Sequence, residues 1–298
     1  MQNKLDFENI TLQPIHANWL APNILLDVLR LDKIHPVVSG NKWFKLKYYL
    51  QDAMQKGYGT IATFGGAYSN HIVATAFACK EHGFKSIGII RGEKPPGLSA
   101  TLLSAADYGM QLVFVSRTDF KNKGVLKQQF TNAYWIDEGG YGSIGAKGAG
   151  EIMQLVNNAE NYQHIVCAIG TGTMFAGLVN CAMPHQKVIG ISVLKNNFSI
   201  YDEVLQLLND KTAADRSEII HGYHFGGYAK HPAQLIAFMN ETWLESGLPT
   251  DIVYTAKTLY AVKQLIINGK IPGGSRVLMI HSGGLQGNAS LQKGALPF

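Results

Sequence analysis

The sequence predicts an α/β fold in which parallel strands alternate with helices. The main support is a repeated order of elements: a short apolar run, a glycine-rich turn, and then a segment with helical spacing. The first such unit is TIATF, then GGAYSN, then HIVATAFACKEHG. The second observation is composition, because 298 residues with 46% hydrophobic and 16% charged side chains can bury the core of one large or two small domains.

Further units follow along the chain in the same order. The strand SIGII precedes the helix SATLLSAADYG and the strand QLVFVS, and later HIVCAIG precedes the helix MFAGLVNCA and the strand VIGISVL. Near the end, apolar spacing predicts a helix from Ala256 to Asn268 and then a strand from Arg276 to Ile280. Between the two groups of units, the glycine-dense stretch from Asp137 to Gly150 predicts a loose crossing between two lobes.

Three features limit the class of protein. The net charge of +5 comes from scattered lysines and arginines without a basic run, which argues against nucleic-acid binding. No stretch approaches the ~18 apolar residues of a membrane span, and the amino terminus has no signal-peptide core, so a cytoplasmic protein is expected. Cys79, Cys167 and Cys181 lie in apolar segments without metal-ligand spacing, which predicts buried thiols and no metal site.

The first candidate for chemistry is the segment GNKWFKL, where Lys42, Lys45 and Lys47 crowd the start of a predicted helix. Only one of the three is expected to face inward, and we assign that position to Lys42. A lysine held in a cleft loses proton affinity because desolvation disfavours the ammonium, so it becomes an amine nucleophile for an aldehyde. A solvated basic face is the alternative, because surface lysines are the norm.

Two strand-to-helix turns are candidate anion sites. In the first, Ser69 and Asn70 add side-chain donors to free backbone amides, which suits a carboxylate, although both are also common N-cap residues. The second turn lacks the lysine of a nucleotide-binding loop, and Phe175 breaks the dinucleotide pattern GxGxxG. This second turn is a candidate phosphate loop or a tight packing turn, and it consists of Gly170, Thr171, Gly172 and Thr173.

Two further side chains are candidates, each with a structural alternative. His71 directly follows the first turn, and a lone histidine serves the core as often as a site. Ser282, in the segment HSGG, follows an apolar strand and is placed to present a hydroxyl at the sheet edge where α/β proteins bind ligands. An ordinary strand-to-loop turn is the alternative there.

The order of these motifs resembles the fold-type II, tryptophan-synthase-like enzymes that use pyridoxal 5'-phosphate (PLP), and within them the 1-aminocyclopropane-1-carboxylate (ACC) deaminase and D-cysteine desulfhydrase family. The resemblance runs from about Leu29 to Gly284. It implies a two-lobed homodimeric enzyme with parallel-sheet, Rossmann-like domains: a larger cofactor-binding domain of residues 1–43 and 148–298, and a smaller α/β domain of residues 44–147. The matching motifs are Arg30-Leu31-Asp32, GNKWFKL, Ser69-Asn70-His71, GTGT, Val253-Tyr254-Thr255-Ala256-Lys257 and HSGG.

The resemblance also implies a role for each residue. Lys42 is similar to the lysine that binds the cofactor covalently and then moves the substrate's α-proton, and Tyr254 and Tyr228 are similar to two active-site tyrosines. Ser69, with Asn70 and His71, would hold the substrate carboxylate or act near the β-carbon. The implied cofactor ligands are Asn70 at the 3'-oxygen, Gly170, Thr171, Gly172 and Thr173 at the phosphate, and Ser282 at the pyridine nitrogen.

Departures from the family distinguish its members. ACC deaminases carry a glutamate where this chain has Thr255, and a neutral hydroxyl such as that of Ser282 cannot stabilise a protonated pyridine as a carboxylate does. Weaker electron withdrawal favours loss of a good β-leaving group over opening of a cyclopropane. His71, in place of the deaminases' glutamine, favours the same outcome. Tyr68 and the segment GYAKHP also depart from the family and leave the shape of the pocket open.

The sequence therefore predicts a PLP-dependent lyase that acts on a small D-amino acid by β-elimination, as D-cysteine desulfhydrase does, and yields pyruvate, ammonia and sulfide. ACC deamination, and elimination from D-serine or another D-amino acid, are the alternatives among enzymes. A non-catalytic protein that binds PLP or an amino acid is the alternative of another class. The presence of Lys42 argues against it.

Overall fold

The computed structural model describes residues 5–298, in which strands and helices alternate along the chain. The predicted α/β fold is confirmed, and each strand and helix named above overlaps an observed one. The strands are β1 (Leu12–Pro14), β2 (Leu25–Arg30), β3 (Thr60–Gly65), β4 (Lys85–Arg91), β5 (Met110–Val115), β6 (Tyr134–Ile136), β7 (His164–Ile169), β8 (Lys187–Ser192), β9 (Ser217–Ile220) and β10 (Arg276–His281). The helices are α1 (Asn41–Gln55), α2 (Asn70–Glu81), α3 (Ala100–Asp107), α4 (Lys123–Gln128), α5 (Ser143–Gly150), α6 (Thr173–Cys181), α7 (Ile200–Leu205), α8 (Ala233–Ser246) and α9 (Thr255–Ile267).

Within residues 5–298 the strands form two sheets. The larger sheet has the order β1-β2-β10-β7-β8-β9, and the smaller one has the order β5-β4-β3-β6. Every pair of neighbouring strands is parallel except β1 with β2, so the predicted parallel sheets are confirmed. In parallel sheets all carboxyl ends lie at one edge, and the turns that follow β3, β7 and β10 lie at such edges.

Both faces of the larger sheet are covered, which explains its continuous apolar strands. Along β10, Val277 and Met279 pack into one hydrophobic cluster, whereas Leu278 and Ile280 pack into another. All four side chains are buried. Because successive side chains of a strand point to opposite faces, helices must lie on both sides of the sheet to bury them.

The glycine-dense stretch 137–150 leads from β6 of the smaller sheet towards β7 of the larger one, as the predicted crossing should, but it is not loose. It forms a short 3-10 turn and then α5, which packs against α1 and α6. A Cβ on Gly148 would lie 1.9 Å from the carbonyl oxygen of Phe44, and a Cβ on Gly177 would lie 2.3 Å from that of Ala146. These glycines therefore permit close contact between helices, and glycine density alone does not distinguish this use from flexibility.

The predictions for the cysteines and for the domain boundaries differ in their outcome. Cys79 and Cys167 are buried as predicted, but Cys181 is exposed at the end of α6. The predicted domain boundaries at 43/44 and 147/148 fall inside α1 and α5, and the division itself stays a prediction. None of the helices in residues 5–298 combines the length and apolar character needed to cross a membrane.

Candidate active site

A cavity of about 510 Å³ lies at the carboxyl ends of strands from both sheets. Its wall includes the turns after β3, β7 and β10, where free backbone amides and short polar side chains meet. The structure brings together all the site residues predicted from the sequence, whose roles stay predictions. They are Lys42, Ser69, Asn70, His71, Gly170, Thr171, Gly172, Thr173, Tyr228, Tyr254 and Ser282.

Lys42 enters the cavity from the first turn of α1. Gly40 precedes this helix with φ +66°, and a Cβ there would lie 1.8 Å from the carbonyl oxygen of Ser282, so only glycine fits. The Lys42 Nζ donates to Asn41 Oδ1 at 2.7 Å and lies 5.9 Å from the ring centroid of Tyr254. Burial lowers the pKa of Lys42 to about 8, although the carboxylate of Asp251 acts in the opposite direction.

A second lysine also faces the cavity, so the expectation that only one of the three points inward is wrong. Lys45 follows Lys42 by three residues, which places both on one face of α1, and only 5% of Lys45 is exposed. Burial lowers the pKa of Lys45 well below its usual value, and the nearby charge of Lys42 lowers it further. None of the ion pairs within residues 5–298 involves Lys45, so an ammonium at this position has no carboxylate partner there. Lys47 instead pairs with Glu151 outside the cavity.

The Nδ1 atom of His71 is buried and has no hydrogen-bond partner within residues 5–298. The Thr63 hydroxyl donates to the carbonyl oxygen of Ile136 at 2.8 Å, so the Nε2 of His71, 2.9 Å away, must donate to that hydroxyl. The opposite nitrogen, Nδ1, then carries a lone pair and has no partner there. Burial lowers the pKa of His71 well below its usual value, as do Lys45 and Lys42, so the ring is neutral.

The turn 170–173 forms the amino terminus of α6. Gly172 has φ +76°, and the Thr171 and Thr173 hydroxyl oxygens lie 3.1 Å apart. The first amides of a helix have no intrahelical partners, so this turn offers donors to an anion. Gly139 and Gly140 connect it to Lys45: a Cβ on Gly139 would lie 2.7 Å from Thr171 Cγ2, and a Cβ on Gly140 would lie 3.3 Å from Lys45 Cβ.

Two tyrosines form another part of the wall. Tyr254 lies next to the 170–173 turn, since a Cβ on Gly170 would lie 3.6 Å from its Cε1 atom. The rings of Tyr228 and Tyr254 meet edge to face, with centroids 6.1 Å apart. Desolvation of the hydroxyl groups raises the pKa of both phenols, although part of the Tyr228 side chain is exposed, so both are protonated near neutral pH. Tyr228 is 42% exposed and Tyr68 is 66% exposed, which places both at the mouth rather than in the depth of the cavity.

Ser282 lines the cavity, whereas Thr255 does not. The buried Thr255 hydroxyl donates to Asp251 Oδ1 at 2.6 Å. Asp251 also accepts the backbone amides of Val253, Tyr254 and Thr255 at 2.8–2.9 Å, so it caps α9 and orders the segment that carries Tyr254. Asp251 was not predicted from the sequence, because its partners are backbone amides that meet its carboxylate only once the start of α9 has formed.

A buried polar network supports the Ser282 turn from behind. His281 Nδ1 lies 3.1 Å from Asp32 Oδ1, and His281 Nε2 lies 2.9 Å from the carbonyl oxygen of Pro249. Arg30 donates to both carboxylate oxygens of Asp32, at 2.8 and 2.7 Å. The Arg30-Leu31-Asp32 motif therefore contributes to the site by holding the end of β10, and it does not line the cavity itself.

The family model described as pyridoxal-phosphate dependent enzyme matches residues 16–283, which include every element of the cavity. This chain belongs to the PLP-dependent enzymes. It is 31% identical to a Thermotoga maritima protein named "Putative 1-aminocyclopropane-1-carboxylate deaminase", over 87% of this chain and 88% of that protein. This similarity places it in the ACC deaminase and D-cysteine desulfhydrase family, as the motifs indicated.

Two further comparisons agree on the family. An Arabidopsis thaliana protein named bifunctional D-cysteine desulfhydrase/1-aminocyclopropane-1-carboxylate deaminase, mitochondrial, is 29% identical over 92% of this chain and 76% of its own length. A crystal structure described as an ACC deaminase homologue superposes with a TM-score of 0.80 at 25% identity, over 96% of this chain and 93% of that one. The fold-type II architecture inferred from the motif order is therefore confirmed.

The residues of this PLP-dependent enzyme fit the cofactor at its two ends. The aldehyde requires a buried amine, and Lys42 supplies one with a lowered pKa. The phosphate requires donors and positive charge, and the amides of the 170–173 turn together with Lys45, on the other side of Gly139 and Gly140, supply both. A dianionic phosphate beside Lys45 would raise the pKa of this amine again and pair with its protonated form. We therefore expect Lys45 to bind the phosphate in addition to the residues predicted from the sequence.

The lowered pKa of Lys42 predicts how covalent cofactor binding depends on pH. The neutral amine is the reactive form, so the rate at which the apo-enzyme captures PLP should rise with pH through 8 and then level off. With a pKa of about 8, the neutral fraction rises about tenfold between pH 7 and pH 9, whereas an ordinary lysine would gain about a hundredfold without a plateau. Stopped-flow absorbance with Nα-acetyl-lysine as the control measures this, and a rate still rising steeply above pH 9 would contradict it.

Proposed function

We propose that this PLP-dependent enzyme is a lyase that eliminates the β-substituent of a small D-amino acid, with D-cysteine as the reference substrate. The balanced reaction converts D-cysteine and water into pyruvate, ammonia and hydrogen sulfide. The chemistry that PLP supplies when bound is electron withdrawal, which acidifies the proton on the substrate's α-carbon. The remaining steps belong to side chains that line the cavity.

Lys42 is the proposed base for the α-proton. Its pKa of about 8 leaves about a tenth of the amine neutral at pH 7 and about half at pH 8, and its hydrogen bond to Asn41 holds Nζ within the cavity. Ser69 and the amides at the start of α2 are the proposed carboxylate site, although the Ser69 hydroxyl also caps α2 by accepting from the Ile72 amide at 3.4 Å. Binding the carboxylate at α2 fixes the orientation of the α-carbon toward the base.

We prefer β-elimination to ACC deamination because the side chain predicted to face the pyridine nitrogen is neutral. Ser282 supplies a hydroxyl in the cavity wall, and Thr255, at the deaminases' glutamate position, is turned toward Asp251. The carboxylates in the wall of the described cavity are those of Glu138, which pairs with Lys123 at 3.3 Å, and Glu203 on α7. Without a carboxylate partner the ring nitrogen is less readily protonated, so the cofactor ring withdraws electrons less strongly. Such a ring suits a substrate whose β-substituent is a good leaving group.

ACC deamination is the second candidate, and the names of the relatives favour it. The Thermotoga maritima protein bears the deaminase name alone, and the Arabidopsis thaliana protein bears both activities. The D-configuration of the substrate rests on the same family relation. A cytoplasmic location, a homodimer and the absence of nucleic-acid binding stay predictions from the sequence and the family.

A turnover assay with three amino acids tests the proposal. The enzyme loaded with PLP should release pyruvate and sulfide from D-cysteine, with much slower sulfide release from L-cysteine and slower pyruvate release from D-serine, since hydroxide is the poorer leaving group. Free PLP without protein is the control for the uncatalysed reaction. Equal rates with L-cysteine would contradict the D-preference, and no product from any substrate would favour the non-catalytic alternative.

A further inference from the structure

The segment that carries Tyr228 has an unusual backbone and contains neither helix nor strand. It spans residues 221–232, between β9 and α8. Phe225 and Ala229 have φ +52° and +53°, which are left-handed conformations that side-chain-bearing residues rarely adopt. Because the backbone does not prefer this shape, contacts from outside the segment must hold it.

Two consecutive turns define the shape of this segment. In the first, the Gly227 amide donates to the carbonyl oxygen of His224 at 3.0 Å; in the second, the Lys230 amide donates to that of Gly227 at 3.2 Å. Tyr228 lies inside the second turn. The two accepting carbonyl groups therefore fix where the Tyr228 side chain leaves the backbone.

Lys257 contacts both of these carbonyl groups. Its side chain is fully buried on α9, and its Nζ donates to the His224 oxygen at 3.0 Å and to the Gly227 oxygen at 2.7 Å. No carboxylate within residues 5–298 lies in ion-pair distance of this Nζ. Burial lowers the pKa of Lys257 to about 8, and Asp251 acts in the opposite direction, so most of it is still an ammonium at pH 7.

We propose that Lys257 is a positioning residue that holds Tyr228 against Tyr254 in the wall of the active site. Lys257 lies one helical turn after Tyr254, so the start of α9 carries one tyrosine and, through the ammonium, fixes the segment that carries the other. Each of the two carbonyl groups already accepts one backbone amide and can accept a second donor. An ammonium, which has three donors, supplies that second hydrogen bond to both, and an apolar side chain supplies none. The catalytic part of this inference depends on the proposed function, whereas the effect on the segment does not.

The first test measures the segment directly. Lys257→Met keeps most of the side-chain volume and removes the donors, so hydrogen exchange at the bonded amides of Gly227 and Lys230 should become at least about tenfold faster. Lys263→Met on the same helix is the control, because Lys263 contacts Trp19 and Phe238 instead of this segment. Exchange that is unchanged in Lys257→Met would overturn the proposal, whether or not the enzyme turns over D-cysteine.

The second test asks whether the effect on turnover passes through Tyr228. Lys257→Met should lower kcat about tenfold in the natural sequence but less than about twofold in a Tyr228→Phe background, and Lys257→Arg, which keeps the donors, should recover part of the loss. Equal losses in the two backgrounds would mean that Lys257 acts by general destabilisation, which overturns the proposal. Melting temperatures of all variants distinguish a folded, slower enzyme from an unfolded one.

Discussion

Lys42→Ala should abolish covalent cofactor attachment and lower turnover by at least about a thousandfold, because it removes both the amine that binds the aldehyde and the proposed base. The fold should be retained, since the change shortens a side chain that points into a cavity. Borohydride reduction of the loaded enzyme, followed by peptide mass analysis, measures the attachment. The natural sequence should carry the label on Lys42, and the variant should carry none.

Two other lysines make this test specific. Lys47→Ala is the matched control, because Lys47 pairs with Glu151 outside the cavity and should keep full labelling. Lys45 is the other lysine that could react with the cofactor aldehyde, because it is buried in the wall of the same cavity. Label on Lys45 in the natural sequence would mean that the two lysines have the opposite roles to those assigned above.

Gly40→Ala should be the most damaging change of a single glycine near the site. A Cβ there would lie 1.8 Å from the Ser282 carbonyl oxygen and 2.4 Å from the Gly283 nitrogen, and backbone atoms cannot move aside as a flexible side chain can. We expect the free energy of unfolding to fall by about 3 kcal/mol or more. Cofactor capture should fall with it, because the start of α1 would be displaced from the Ser282 turn.

Gly57→Ala separates steric overlap from backbone preference in this prediction. Gly57 has φ +74°, similar to Gly40, but a Cβ there would have no neighbour within 4 Å. Its replacement should therefore cost only about 1 kcal/mol, the penalty of the left-handed backbone. Chemical denaturation measures both variants, and equal losses at the two positions would contradict the close contact between α1 and the Ser282 turn.

Much of the fold follows from local patterns in the sequence. The inner strands β7, β8 and β10 of the larger sheet are buried on both faces, so they appear as largely apolar runs, and the turns after β3 and β7 are marked by small polar residues at helix starts. These turns, together with Lys42 and Ser282, were predicted as separate candidates. Their assembly into one cavity follows from parallel topology, because parallel strands end at the same edge.

The remainder depends on tertiary contacts that local patterns do not contain. Lys45 was taken for a surface residue, and its burial results from the packing of α1 against α5 and the 139–140 turn. The glycines of α5 were interpreted as a sign of a loose segment. Their actual use, close packing against the backbones of α1 and α6, depends on helices that are distant in the sequence. The direction of the Thr255 hydroxyl depends on Asp251, four residues earlier, and is visible only once α9 is in place.

The ratio of kcat/KM for D-cysteine to that for ACC, in one preparation of the PLP-loaded enzyme, tests the proposed function most directly. Sulfide and pyruvate measure the first reaction, and 2-oxobutyrate measures the second. With the neutral hydroxyl of Ser282 at the predicted position of the ring nitrogen, we predict that D-cysteine is favoured by at least about a hundredfold. A ratio below one would contradict the proposed function and favour ACC deamination without a glutamate at position 255, and a ratio near one would contradict it by showing that the enzyme catalyses both reactions.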